Sequence, residues 1–283
     1  MRVGVSTEYE RALSLCFSVL TLTLTLKLVL GLKIQSYYLK RKALFSNCQY
    51  LYFIKDNNMN CVVGSIQQYE HLKKPVFSQV LGTHNTAAID LSIGNRELQH
   101  IDVGNCDELS RYIQSKLQKG NLFAGIGGYL EDRAIYRRSS HFGVGEHCRS
   151  IHLGIDVWCE AGSVVHTPLP ASVHSFRINN NFGDYGPTII LQHRLGQCVF
   201  YSLYGHLETK SLQGKAEGMV LAAGEAFATV GMPHENGNYP PHLHFQLIAD
   251  MQHYSGDFPG VCAPVDLACY RELCPNPECL LMP

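Results

Sequence analysis

The sequence predicts a mainly β fold: an antiparallel β-sheet or sandwich preceded by an N-terminal α/β extension. Three observations predict it. From about residue 150 onward, short apolar runs recur between glycines, asparagines and prolines, among them IHLGIDVW, ASVHSFRI, TIILQHRL, CVFYSLYGHL and HLHFQLIA. Runs at that spacing argue for antiparallel strands rather than βαβ units. The long helical period, NCDELSRYIQSKLQK, lies upstream of all of them. Finally, Pro240 and Pro241 cannot sit inside a helix, so the residues after them begin a new element that alternates as a strand does.

Taken in order, AAIDLSI at residues 87–93 reads as a short strand. The helical segment follows, with Asn105 or Asp107 as its N-cap and Gly120 past its end. A glycine-bearing approach, NLFAGIGGYLEDRAIY, leads into the strand-rich part, where Gly218, Gly224 and Gly231 stand as turn residues. The pattern divides the chain into a hydrophobic and basic leader at 1–58, an extension with strand and helix at 59–140, a β-rich core at 141–250, and a Pro/Cys-rich tail at 251–283 that packs on the core.

A hydrophobic content of 46% with 17% charged residues describes a globular chain long enough for a sizeable core. A net charge of −1 gives no electrostatic footprint for nucleic acid. Eleven cysteines without a C-x-x-C pair argue against a zinc knuckle, and reduced thiols are the simplest account of them. Residues 12–32 form the candidate membrane segment, interrupted by Lys27 and followed by Lys33, Lys40, Arg41 and Lys42. Three readings stand side by side: an anchor, an export signal without a small-residue cleavage site, or a natural start at Met59. The protein is cytoplasmic if the start lies near Met59, and membrane-anchored or exported otherwise; a membrane is a partner only if residues 12–32 anchor the chain.

Fourteen histidines are a generous supply. In a strand, His242 and His244 of PPHLHFQL project from one face. In SIHLGIDV, His152 and Asp156 are four apart, and the β-branched surroundings favour a strand that keeps both on one side with Gly154 between them. YGHL adds His206 at the end of an apolar run. His166, His174 and His193 sit in strand-like runs and read as structural.

H-x-G-x-D, then Y-x-H-L about fifty residues on, then H-L-H-F resembles the lysostaphin/LytM-type zinc metallopeptidases, peptidoglycan endopeptidases with a duplicated hybrid motif. GMVLAAGEAFATVG is similar to the segment between that family's last two motifs. A wider likeness, carried by AAIDLSI, GGYLEDRAIY, YPPHLHFQL, GDFPGVCAP and LCPNPECLL, resembles a branch fused with phosphotransferase and class III aminotransferase modules, and implies a functional link to such enzymes. The resemblance implies one Zn2+ per chain on His152, Asp156 and His244, with His206 and His242 as catalytic histidines. Zinc takes such a donor set and keeps a fourth position for water, and imidazole titrates near the pH at which a general base works. Which histidine is the base stays open, with a lean towards His242. Tyr204 and His234 are cleft-lining candidates.

The implied function is hydrolysis of a peptide amide bond, with peptidoglycan-type cross-links as the inherited substrate. The alternatives are a binding or scaffold module without peptidase turnover, and a cytosolic amidase acting on a small amino-acid conjugate, each retaining the metal site. The ENGNYPP loop and Gln246, where many members carry glutamate, depart from the family pattern and bear on substrate identity.

Overall fold

The computed structural model describes residues 58–118, 120, 122–133, 135, 136, 142 and 148–282, all within one compact unit, Lys55–Pro283. The candidate membrane segment at 12–32 lies outside them. Among the described residues, no helix is long and apolar enough to cross a membrane.

The chain opens with helix α1 (Asn58–Gln68), whose Val62 and Ile66 are buried one turn apart. Strand β1 (Thr86–Ile89) precedes helix α2 (Cys106–Gln118) and strand β2 (Ala124–Gly127). The Asn105 side chain accepts from the backbone N–H groups of Asp107 and Glu108, capping α2 as the sequence predicts. Leu109, Tyr112 and Ile113 form its buried stripe. The strands that follow are β3 (Ile151–His152), β4 (Ile155–Trp158), β5 (Val164–His166), β6 (Ala171–Asn179), β7 (Gly186–Leu195), β8 (Cys198–Gly205), β9 (Val220–Leu221), β10 (Ala226–Thr229), β11 (His242–Ile248) and β12 (Val261–Cys262). Two short helices, α3 (Leu267–Leu273) and α4 (Glu278–Leu281), close the tail.

One eight-stranded sheet runs β1-β2-β4-β11-β8-β7-β6-β9, flanked by the pairs β10-β5 and β12-β3. Its ladders are antiparallel except for the parallel edge pair β1-β2. The extension is therefore not a separate layer: β2 pairs directly with β4. The continuous strand expected over IHLGIDVW is two strands, broken at Leu153 and Gly154. The break has a tertiary cause, since a Cβ on Gly154 would lie 2.7 Å from the His244 ring and 2.8 Å from the Phe245 carbonyl. Gly218 and Gly224 hold the left-handed φ of turns, whereas Gly231 is needed for close approach, its missing Cβ falling 2.4 Å from the Leu207 carbonyl.

Period-2 alternation gives the sheet two unlike faces. Val157, Tyr204, Leu243, Phe245 and Leu247 enter a large apolar core, each contributing about 1.5–3 kcal/mol on burial. His242, His244 and Gln246 take the other face, where a second cluster joins β1 and α2 to Ile135, Tyr136, Trp158, Tyr239 and Val261.

Candidate metal centre and its cavity

The site grows out of one row across four strands. Register places Gly127, Asp156, His244 and Gly205 side by side on β2, β4, β11 and β8. Directly paired residues share a face, so Asp156 and His244 project together between two glycines. The glycines leave room for neighbours: a Cβ on Gly127 would meet the Arg133 Nη2 at 2.9 Å, and one on Gly205 would meet the Tyr185 ring at 2.7 Å. His152 arrives from β3, which is braced by the tail strand β12 through the Val261–His152 pair.

His152, Asp156 and His244 are all buried and form a cluster that could bind a metal ion. His152 Nε2 lies 2.9 Å from His244 Nδ1 and 3.2 Å from Asp156 Oδ1, and His244 Nδ1 lies 3.1 Å from the same oxygen. Tetrahedral zinc with bonds near 2.1 Å sets its ligand atoms roughly 3.4 Å apart, so the triangle is close to that size. The remaining ring nitrogens have partners. His152 Nδ1 is 2.9 Å from the Gly128 carbonyl, to which it can only donate, and His244 Nε2 faces the Gln246 Oε1 at 2.9 Å. Those bonds leave two nitrogen lone pairs facing each other across 2.9 Å beside a carboxylate oxygen, an arrangement that a cation between them relieves. The donor set fits zinc.

His242 lies one step along β11, with its Nδ1 donating to the Pro240 carbonyl and its ring stacked 4.1 Å from Trp158. Its Nε2 is 3.9 Å from Asp156 Oδ1. His206 sits just past β8 with a left-handed φ of 61°, and its Nδ1 donates to the Asn236 carbonyl. The two rings are 4.1 Å apart, each with an Nε2 that can accept a proton. Burial lowers His242 to about 4 and, together with the neighbouring histidines, holds His206 well below its ordinary value. Burial and Arg133 likewise lower His152 to about 4. All three are neutral at pH 7. Burial opposes ionisation of Asp156, but the Arg133 guanidinium on its Oδ2 overcomes it and keeps the carboxylate charged.

Arg133, only 1% exposed, gives Nη1 to Asp156 Oδ2 at 2.5 Å and Nε to Glu131 Oε2 at 2.5 Å. One Asp156 oxygen is thereby neutralised while the other turns to the histidines. Sequence reading missed this role; its signal was a charged residue set among the apolar positions of GGYLEDRAIY. It also missed Tyr185, whose backbone carbonyl accepts from the His206 N–H. Tyr204 does not line the cleft. It pairs with Phe245 in register, so its ring goes to the opposite face against Phe227 and Phe245. His234 is exposed and stands outside the cavity lining, because its turn sends Tyr239 inward instead.

The site opens into a cavity of about 250 Å³. Asp156, His206, His242 and His244 lie on its wall, with Trp158, Tyr185 and Tyr239 beside them. Leu91, Arg133, Ile135, Tyr136, Phe142 and Arg149 come from before residue 150, and Asp257 through Val261 come from the tail. No described cysteine lies on this wall, and Cys269 is disulfide-bonded, against the expectation of reduced thiols throughout.

Residues 150–255 match the sequence profile of Peptidase family M23. No curated protein matches the chain. Similar solved structures include a zinc-containing peptidase from Vibrio cholerae, 25% identical over 35% of this chain and 28% of that one, with a TM-score of 0.29. Helicobacter pylori Csd3 is 23% identical over 42% of this chain and 27% of its own, with a TM-score of 0.28. The catalytic domain of the antimicrobial peptidase lysostaphin from Staphylococcus simulans is 21% identical over 42% of this chain and 79% of its own, with a TM-score of 0.29. The chain thus spans under a third of the length of the first two. All five histidine and aspartate positions of the site fall within the span that matches Peptidase family M23.

Proposed function

We propose that the chain is a zinc-dependent metallopeptidase that hydrolyses a peptide amide bond, with one zinc per chain on His152 Nε2, Asp156 Oδ1 and His244 Nδ1. The observation that carries this reading is the buried donor triangle, whose outer nitrogens are already committed to Gly128 and Gln246. When bound, zinc would supply Lewis-acid polarisation of the scissile carbonyl and a water acidic enough to attack it. His242 and His206 hold and move the protons. Each is fixed by its Nδ1 bond and offers Nε2, one to take a proton from the attacking water and the other to serve the oxyanion or the leaving amine. His242 is the nearer to Asp156 and takes the base role in this proposal.

Peptidoglycan-type cross-links are the substrate that the family likeness suggests. A second reading, an amidase on a small amino-acid conjugate, is favoured by the cavity walls that flanking segments add to the M23 span. A link to phosphotransferase and aminotransferase enzymes rests on the sequence resemblance alone. Metal analysis and peptide hydrolysis by the full chain test the core of the proposal. One equivalent of zinc, lost together with turnover in His152→Ala, is expected. Stoichiometric zinc without turnover on any amide would instead establish a binding module, and full turnover in His152→Ala would end the proposal.

A further inference from the structure

Among the described residues, five buried side-chain nitrogen or oxygen atoms have no hydrogen-bond partner. Three of them, Arg133 Nη2, Trp158 Nε1 and Tyr185 Oη, belong to residues on the wall of this one cavity, and all three can donate. An unpaired buried donor costs about 1–3 kcal/mol, so three around one cavity point to an acceptor-rich ligand. Arg133 and Trp158 are set close together. Both nitrogens lie within 3.2 Å of the point where a Cβ on Gly127 would stand, ground left open because that residue is glycine. Tyr185 occupies a slot made by two more glycines, since a Cβ on Gly205 would fall 2.7 Å from its ring and one on Gly260 would fall 1.8 Å from its hydroxyl. Its ring centre is 5.0 Å from that of His244, which puts the hydroxyl's ring beside the reacting centre.

We propose that these donors bind the free carboxylate of a short peptide, so that the bond hydrolysed is the last amide before that carboxylate. A carboxylate offers about four lone-pair sites on two oxygens, enough to accept from the one uncommitted Arg133 nitrogen, Nη2, and from two further donors. The cavity of about 250 Å³ has room for the end of a short peptide. Asp184 and Asp257 share the lining with Arg149. Burial and the neighbouring Asp184 raise the Asp257 carboxyl above its ordinary value. The chemistry balances with water alone. A C–O bond forms at the amide carbonyl, the C–N bond breaks, and the nitrogen leaves with a proton as the free terminal amino acid.

This inference rests on the amide-hydrolase reading for its reaction but not for its binding, and the experiment separates the two. Trp158 is the chain's single tryptophan, so its fluorescence reports this cavity in the metal-free full chain. Titration with alanyl-alanine should give a saturable change, alanyl-alaninamide should bind at least tenfold more weakly, and Tyr185→Phe should weaken the acid about tenfold while leaving the amide unchanged. Equal binding of acid and amide, or no response to either because ordered water alone satisfies the donors, would overturn the proposal. With zinc added, mass spectrometry of a longer peptide should show stepwise loss of the terminal residue, abolished by C-terminal amidation. Cleavage of the amidated peptide at internal bonds would refute terminal selection while leaving the hydrolase reading intact. Acid-selective binding with no hydrolysis of any peptide would do the reverse.

Discussion

His206 reaches the site through a backbone conformation that costs a non-glycine residue on the order of 1–2 kcal/mol. The bend is what separates its ring from Tyr204, two residues earlier and on the other face. Replacing either His206 or His242 with alanine should cut kcat by 10²–10⁴, the usual worth of a positioned proton carrier, while one zinc per chain is retained on metal analysis. Gln246 is the acceptor that orients His244, and it is itself held by the Pro259 carbonyl and the Cys274 sulfur. Gln246→Leu should weaken zinc binding by 10- to 100-fold, as loss of an outer partner usually does, measured by chelator competition. Sequence placed the five histidine and aspartate positions because their types and order are specific. It could not place Gln246 or Arg133, whose roles depend on which atoms they face.

At the scale of elements, alternation made the long strands legible, and the paired histidines of β11 share a face as period 2 requires. Alternation failed at Gly154, where the chain breaks step to clear the ring of a residue ninety positions away. Local sequence carries a glycine there but not the neighbour that demands it. Gly154→Ala should push the His244 ring by several tenths of an ångström or more. A destabilisation of about 1–3 kcal/mol is expected from such overpacking, seen as a lower Tm in the metal-free protein, together with weaker zinc binding. The parallel β1-β2 edge was equally invisible, since both its strands are four residues long and carry little pattern.

For the whole molecule, the eight-stranded sheet sets the pH range of stability through groups far from the metal. His193 is fully buried between the Ser202 hydroxyl and the Pro170 carbonyl, and burial lowers it to about 4. The unfolded chain takes up that proton near pH 6.5 and the folded chain near 4, so stability is complete above pH 6.5 and falls as pH drops towards 4. The loss from this group is on the order of 3 kcal/mol. Thermal melts between pH 7.5 and 4.5 should show it, with a shallower slope in His193→Gln.

The brace between His152 and Val261 has a temporal side. A ribosome makes the histidine more than a hundred residues before its supporting strand, and the other two members of the cluster, Asp156 and His244, also emerge before that strand does. An ion meeting the nascent polypeptide finds imidazoles and a carboxylate without their final scaffold. On the proposed zinc reading, secure capture waits until β12 has been made and has docked.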